Sequence, residues 1–223
     1  MMKTLLSFMV AALPAVAHAQ ETIDLGVLKD SDIKVVQKLL YPKTGRTELG
    51  IHLGVSPFDA YTRTPFGAVS YGSFLSESVA WEVVAQGGYS FKTSTYRELE
   101  SPLYSVAPDA YRLLGGISAD VQYSPIYAKM NVAGKQIVHY DVYGLAGLGV
   151  TAEVAILPDH SFWPAPTVPL GVGARFYLNK DAAVRFQVVD ELLVERRAKT
   201  ETWALRHDIG VSIGYTMLSK VGK

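Results

Sequence analysis

Apolar and polar residues alternate with a period of two along this chain, and the pattern recurs about eight times from Thr47 onward. A period of two is typical of β-strands whose two faces meet different surroundings, because successive side chains point to opposite sides of a sheet. The pattern therefore predicts an all-β fold. The alternating segments are Leu49–Val55, Trp81–Phe91, Gly115–Tyr123, Val138–Val150, Leu170–Leu178, Val184–Val188 and Ile209–Met217, with Phe66–Phe74 the least clear.

The polar face of these strands differs from a surface that meets water. None of the twelve lysines is predicted to lie inside an alternating segment, and Lys129, for example, falls in a predicted connection. The polar positions hold glycine, serine, glutamine and a few charges of both signs, which suits a narrow, crowded interior. A charged residue on a lipid face near the midplane costs roughly 2–4 kcal/mol for Arg or Lys. We therefore expect the apolar face to meet lipid, although alternation alone also fits a soluble sandwich or a lipocalin-like barrel.

Connection lengths predict how the strands are arranged. Tight connections at 75–78, 133–136 and 179–181 alternate with longer ones at 56–64, 92–112, 155–168 and 195–202. Short turns on one side and long loops on the other are typical of outer-membrane barrels. The sequence thus predicts an eight-stranded antiparallel up-and-down transmembrane β-barrel, whose interior is filled by side chains. Aromatic residues near strand ends are expected to form the interfacial girdles: Trp81, Phe91, Tyr123, Tyr140, Phe176, Trp203 and Tyr215.

One acidic residue breaks this pattern. Asp190 falls on the apolar side of its strand. A β-bulge would turn it inward, and a place at the level of the lipid headgroups would expose it to water. Either arrangement would reconcile Asp190 with a lipid-facing strand.

The N-terminal region has the features of an export signal. Lys3 precedes an apolar stretch over residues 5–16, and Ala17-His18-Ala19 provides an A-x-A cleavage site. We interpret residues 1–19 as a signal peptide, 20–45 as a short periplasmic lead-in and 46–223 as the barrel. Within the lead-in, "DSDIKVVQKLL" fits a short amphipathic helix and a flexible lead-in equally well.

Composition narrows the function. Without residues 1–19 the chain has 20 basic and 21 acidic residues, so no strong field favours nucleic acid. Cysteine is absent, which excludes disulfides, metal thiolates and a thiol nucleophile. No remaining segment approaches 18 unbroken apolar residues, which argues against an inner-membrane helix protein.

Several stretches resemble a known family, the outer membrane beta-barrel domain proteins of myxobacteria and related deltaproteobacteria. The resemblance rests on "VVQKLLYPKTGRTELGIHLGVSPFDAY" (35–61), "SPIYAKMNVAGKQIVHYDVYGLAGLGV" (124–150), "GVGARFYLNKDAAVRFQVVDELL" (171–193) and the C-terminal "DIGVSIGYTM". It implies a small barrel in a Gram-negative outer membrane, and for some relatives a part in an envelope-spanning assembly. It implies no catalytic residues. The chain differs from the usual outer-membrane pattern at its end, since "TMLSKVGK" follows Tyr215 where an assembly signal would close on an aromatic residue.

The inward positions contain residues that can pair with one another. We hypothesise that they form a polar network which fixes the strand register and blocks the lumen; the alternative is interior packing without a function. His52, His139 and His207 lie on different strands without metal-ligand spacing, so interior histidines are expected rather than a metal site. The predicted network residues are Glu82, Asp120, His139, Asp141, Arg175, Arg185 and Asp208.

Three short motifs have residue types that occur in catalytic or binding sites. "PDHSFWP" contains Asp159, His160 and Ser161, but adjacent residues do not readily form a triad, so a polar loop tip is expected. "GLAGLG" (144–149) has the wrong spacing for a phosphate loop, and its glycines are expected to give room for interior side chains. "ERRAKT" (195–200) is expected to be a solvated loop tip, with contact to lipopolysaccharide phosphates as the alternative. We predict no catalytic residues, cofactor or metal.

The sequence thus predicts a structural or scaffold protein of the outer membrane. Its expected partners are outer-membrane lipid, lipopolysaccharide and other envelope proteins, with no nucleic acid. Protein contacts are expected through the long loops, above all 92–112 with Tyr96, Tyr104 and Tyr111, or through the 20–45 segment. The alternatives are a lipid-modifying enzyme, which lipid A mass spectra would reveal, a small pore, and a soluble periplasmic binding barrel.

Overall fold

The structure is a computed structural model, and it describes residues 41–132, 136–156, 162–197 and 202–219. These ranges hold nine β-strands and one short helix. The elements are β1 (Thr47–Ser56), β2 (Thr62–Phe74), β3 (Val79–Gly88), β4 (Phe91–Lys92), α1 (Ser94–Glu100), β5 (Tyr111–Val132), β6 (Gln136–Ala155), β7 (Phe162–Asn179), β8 (Ala182–Arg196) and β9 (Trp203–Leu218).

Eight of the strands close into a ring. Each pairs antiparallel with its neighbours in chain order, and β1 pairs with both β2 and β9. The two-residue β4 pairs only with β2, where it follows β3 after a break at Tyr89–Ser90. The predicted eight-stranded up-and-down barrel is therefore confirmed, and closure leaves no free edge around the ring.

The predicted inside and outside of the strands are confirmed. On β1, Leu49, Ile51 and Leu53 are exposed on the outer surface, while Glu48 and His52 are buried inside. The less regular β2 follows the same rule. Its inward positions are Thr62, Thr64, Ala68, Ser70 and Phe74, all buried.

Two ends of the barrel are distinguished by their connections. The lower end carries the turns at 75–78 and 180–181, and the upper end carries the longer connections. At the lower end β5 and β6 run on as a hairpin. The pairing of β3 with β5 stops at Tyr123, whereas β5 and β6 pair as far as Val132 and Gln136. The prediction that Lys129 falls in a connection is therefore wrong. Lys129 lies within β5, because this strand continues past the rim.

Asp190 lies on the outer surface of an uninterrupted strand. It pairs with Ile209 of β9 in regular register, so the β-bulge, one of the two predicted alternatives, is wrong. His207 of β9 is also on the outer surface, and its Nδ1 lies 2.8 Å from Asp190 Oδ2. The expectation of an interior histidine is wrong for His207. The carboxylate remains on the outside because the neighbouring strand supplies a partner there.

The predicted 92–112 loop contains an ordered helix at the upper end. The Thr93 side chain accepts a hydrogen bond from the Tyr96 amide and caps α1. Tyr96 is buried against Ala110, Ile156 and the partly buried Tyr61. Tyr104 is exposed, and Tyr111 begins β5. Within the described ranges, α1 is too short and too polar to cross a membrane.

We expect Ile51→Arg to destabilise the barrel by about 2–4 kcal/mol, the cost of a basic side chain on a lipid face near the midplane. Ile51 lies mid-strand on β1 and is 57% exposed on the outer surface. Urea unfolding in lipid vesicles measures the effect, with Leu103→Arg as a control, since Leu103 is 81% exposed in the α1–β5 connection. Equal stability of Ile51→Arg and the parent would contradict a lipid-facing β1.

Candidate functional site in the barrel interior

Two arginines lie side by side in the lower part of the lumen. Arg175 of β7 and Arg185 of β8 are direct cross-strand partners, and Asp141 of β6 is the next residue in the same row. Both arginine side chains are fully buried. Like charges directly opposite each other destabilise a sheet, and a buried charge is costly unless it is paired. Carboxylates must therefore reach both guanidinium groups.

Arg175 is held by acidic residues from two other strands. Its Nε and Nη2 donate to the two Glu48 carboxylate oxygens at 3.2 and 2.9 Å, and its Nη1 donates to Asp141 Oδ2 at 3.1 Å. The Gln122 side-chain oxygen accepts a further hydrogen bond from Nη2 at 3.1 Å. The guanidinium is thus satisfied from β1, β5 and β6 at once.

Arg185 forms a bidentate pair with Glu82 of β3. Its Nη1 and Nη2 donate to the two Glu82 oxygens at 2.6 and 2.9 Å, and its Nε donates to Tyr143 Oη at 3.0 Å. The Tyr143 ring also lies 5.0 Å from the Arg175 guanidinium carbon and 5.3 Å from that of Arg185. Gly173 makes this possible, because a Cβ there would come within 2.5 Å of the Tyr143 ring.

A lysine that precedes β1 in the chain completes the network. Lys43 Nζ donates to Asp141 Oδ2 at 2.8 Å, and Tyr177 Oη donates to the same oxygen at 2.9 Å. Both members of the Lys43–Asp141 pair are almost fully buried. Three basic and three acidic side chains balance here, and we call them the floor network: Lys43, Glu48, Glu82, Asp141, Arg175 and Arg185.

Lys43 belongs to a segment, Tyr41–Arg46, that folds against the lower end; we call it the strap. The Tyr41 ring stacks on Tyr177 at 5.4 Å and meets the His139 ring edge-on at 5.0 Å. Arg46 donates to the backbone oxygens of Ser219, Lys180 and Leu218 and pairs with Asp181 at 2.9 Å. The strap therefore ties the start of β1 to the turns that close the barrel.

The structure brings four of the seven predicted network residues together: Glu82, Asp141, Arg175 and Arg185. It does not bring in the other three. Asp120 accepts a hydrogen bond from Ser118 at 3.1 Å, and within the described ranges no arginine forms a salt bridge with it. His139 is buried at the lower end in the aromatic cluster around Tyr41, and Asp208 lies higher on β9.

A second ionic group lies near the upper mouth. Arg206 of β9 pairs with Glu153 of β6 and, at 3.0 Å, with Glu195 of β8, and it lies 3.6 Å from Asp59. Arg197 also pairs with Glu195. Glu195 is thus a buried residue of β8, and the expectation of a solvated loop tip over 195–200 is wrong at this position. Residues 198–200 and Asp159 to Ser161 lie outside the described ranges.

Sequence reasoning missed several residues of these two groups for different reasons. Glu48 shares the inward positions of β1 with His52 and could have been included on that ground. Lys43 precedes the alternating pattern, so nothing in its neighbourhood indicates an inward side chain. Glu153, Glu195 and Arg206 lie where strands extend beyond the segments predicted for them. Across the described residues, no group of three or more histidine, aspartate or glutamate side chains could hold a metal ion.

Solved structures with a similar fold include outer-membrane barrels. The outer membrane protein OprG from Pseudomonas aeruginosa matches 82% of this chain and 100% of its own, with 12% identity and a TM-score of 0.50. The N-terminal β-barrel domain of Pseudomonas aeruginosa OprF matches 79% and 99%, with 13% identity and a TM-score of 0.49. Neisserial surface protein A matches 79% and 96%, with 10% identity and a TM-score of 0.48.

The likeness to OprG shows the fold of this chain, an up-and-down barrel of the outer-membrane type. No family model matches the sequence, and no curated protein matches it. The resemblance to the myxobacterial family therefore stays a prediction.

The strap is expected to depend on pH through Glu77. Partial burial by itself would raise the pKa of this carboxyl. The hydrogen bonds from the Thr44 hydroxyl and from the Thr44 and Lys43 amides have the larger effect, so the net pKa is lowered. A group whose folded pKa is lowered stabilises the fold above its usual value of 4.5, and this contribution is lost as the pH falls through the folded pKa.

Hydrogen exchange of the Lys43 and Thr44 amides, corrected for the intrinsic pH dependence of exchange, measures this effect. We expect protection at neutral pH that falls below pH 4.5, and loss of that protection in Glu77→Ala at neutral pH. Glu98→Ala on α1 is the matched control for removal of an exposed carboxylate. Unchanged amide protection in Glu77→Ala would show that the strap is held without this carboxylate.

Proposed function

We propose that this protein is a structural protein of the bacterial outer membrane, whose closed barrel fixes the strap, Tyr41–Arg46, at the periplasmic side. The floor network carries this proposal. It fills the lower part of the lumen with paired charges and includes Lys43, a residue of the strap. The same contacts therefore close the lower end of the barrel and hold the strap against it.

The lumen is expected to be closed at this level because the charged side chains of the floor network are paired with one another. Removing one member of a buried ion pair leaves an uncompensated charge and is strongly destabilising. An apolar layer of Phe74, Tyr177, Ala183 and Leu218 packs at the lower end beside Tyr41. A solute would have to break ion pairs and separate this layer, which favours a structural role over a pore.

The membrane location is inferred from the outer surface. Large apolar side chains are exposed there on all eight strands of the ring, as expected for contact with lipid. Short turns mark the lower end as periplasmic, as in outer-membrane barrels. Export through a signal over residues 1–19 and attachment to a larger envelope assembly are parts of the proposal. The β5–β6 hairpin would then project into the periplasm with Ile126, Met130 and Ile137 exposed.

We further propose that the protein has no catalytic role. The Asp190–His207 pair is the described feature that most favours the alternative, a lipid-modifying enzyme. In a catalytic triad an aspartate orients a histidine that acts as the base. A base needs a nucleophile within hydrogen-bond reach, and Ser161 of "PDHSFWP" lies outside the described residues. Mutual compensation of two polar groups on an apolar surface accounts for the pair.

Planar-bilayer recordings test the closed lumen. We expect the parent protein to show no steady conductance and Arg185→Ala to open a small one, because the change removes the guanidinium that fills the space between Glu82 and Tyr143. We expect Lys43→Met to conduct as well, because the change removes the contact between the strap and the floor network. Arg97→Ala, at an exposed site on α1, should remain closed. A conducting parent, or two interior variants as closed as the parent, would refute the role of the floor network.

Site-specific photocrosslinking in cells tests the scaffold role. A crosslinker at Ile137 on the hairpin is expected to give a discrete protein adduct, and one at Leu103 tests the upper end. A crosslinker at Ile51 should give none, because that position is expected to face lipid. The absence of a protein adduct at both ends would argue against a scaffold.

A further inference from the structure

Above the floor network the lumen is not filled. A cavity of about 70 Å³, partly open to solvent, lies inside the barrel. Its walls on β8 run from Gln187 to Glu191, between Arg185 below and Glu195 above, and on β9 from Asp208 to Ser212, below Arg206. We call this space the upper chamber.

The upper chamber is lined by four acidic residues and by one histidine, His52. Four carboxylates face it, those of Glu82, Asp120, Glu191 and Asp208, and its described lining contains neither lysine nor arginine. Glu82 is already paired with Arg185. Glu191 accepts hydrogen bonds from the uncharged Gln86 and, at 3.5 Å, from Thr151. Three of the four carboxylates thus have no basic partner that lines the space.

Charge balance differs between the two parts of the lumen. The floor network holds three basic and three acidic groups. Above it, the described interior has five acids against Arg206, with Arg197 added at the mouth: Asp120, Glu153, Glu191, Glu195 and Asp208. An excess of negative charge in a confined space of low dielectric constant attracts cations strongly.

Asp120 provides a separate observation. Its side chain is buried, with only 5% of the residue exposed, and it lines the chamber. One oxygen accepts from Ser118, but Oδ1 has no hydrogen-bond partner among the described residues. The carboxylate lies across Gly147, where a Cβ would come within 2.1 Å of Oδ1. A buried carboxylate without a basic partner is costly, and a cation in the chamber would compensate its charge.

We propose that the upper chamber binds a small organic cation that carries ammonium groups. A bare metal ion needs several ligands around one point, and the described side chains form no such group. An alkyl diamine instead brings donors at two separated positions, which suits carboxylates on different strands. Its methylene groups would contact the apolar part of the lining: Phe66, Val84, Leu113, Leu145 and Val189.

Isothermal titration calorimetry on the full chain in detergent micelles, at pH 7.5 and low salt, tests this with 1,4-diaminobutane as the probe. We expect saturable binding of the diamine and no binding of 1,4-butanediol, which has the same length without charge. Binding should weaken at high salt because the attraction is screened. A diamine that does not bind, or a diol that binds equally well, would overturn the proposal.

Two isosteric variants locate the site. Asp120→Asn and Asp208→Asn remove charge without changing shape, and each is expected to weaken diamine binding by about tenfold, the loss of one charge-assisted contact. Glu98→Gln, on the exposed face of α1, should bind as the parent does. A heat-modifiable gel shift in every variant shows that the barrel has folded. Unchanged binding in both chamber variants would overturn the assignment, and a conducting parent would affect only the closed-barrel proposal.

Discussion

Arg175 and Arg185 are neighbours on adjacent strands, and both guanidinium groups are fully buried. They are compatible with one another only because Glu48 and Glu82 reach them across the lumen. Glu48 and Arg175 are 127 positions apart in the chain, so their contact forms only when β1 has closed on β9. A slip of β1 by one residue would turn Glu48 toward lipid. The arginine pair therefore links the register of the strands to closure of the ring.

The lumen above and below this pair has different properties. Below it, Tyr41, Phe74 and Tyr177 pack as an apolar layer, and Lys43 brings the strap into the charged network. Above it, the walls are acidic, and part of the space is unfilled. The same strands thus build a neutral, closed floor and a negatively charged chamber. This division follows from where each strand places its few charged side chains.

Sequence patterns predicted the barrel and its two faces well, because inward and outward positions depend only on a two-residue repeat. They predicted the contents of the interior less well. Glu82, Asp141, Arg175 and Arg185 meet as expected. Asp120 lies directly opposite Glu82 but accepts its hydrogen bond from Ser118, and Asp208 lies higher on β9. Lys43 was not predicted to lie in the interior, because it precedes the first strand and so lies outside the two-residue repeat. Asp190 was correctly placed on the apolar side, but its partner His207 was not foreseen.

By itself, the amino-acid sequence determined the strand pattern, the lipid-facing side of each strand and the inward position of the arginines. Only the tertiary structure decided which inward residues lie at the same height in the lumen. The physical reason is that strands in a closed barrel are tilted and staggered, so the height of a residue depends on the pairings around the whole ring. Those pairings bring Glu48 to Arg175 and leave Asp120 facing the unfilled chamber.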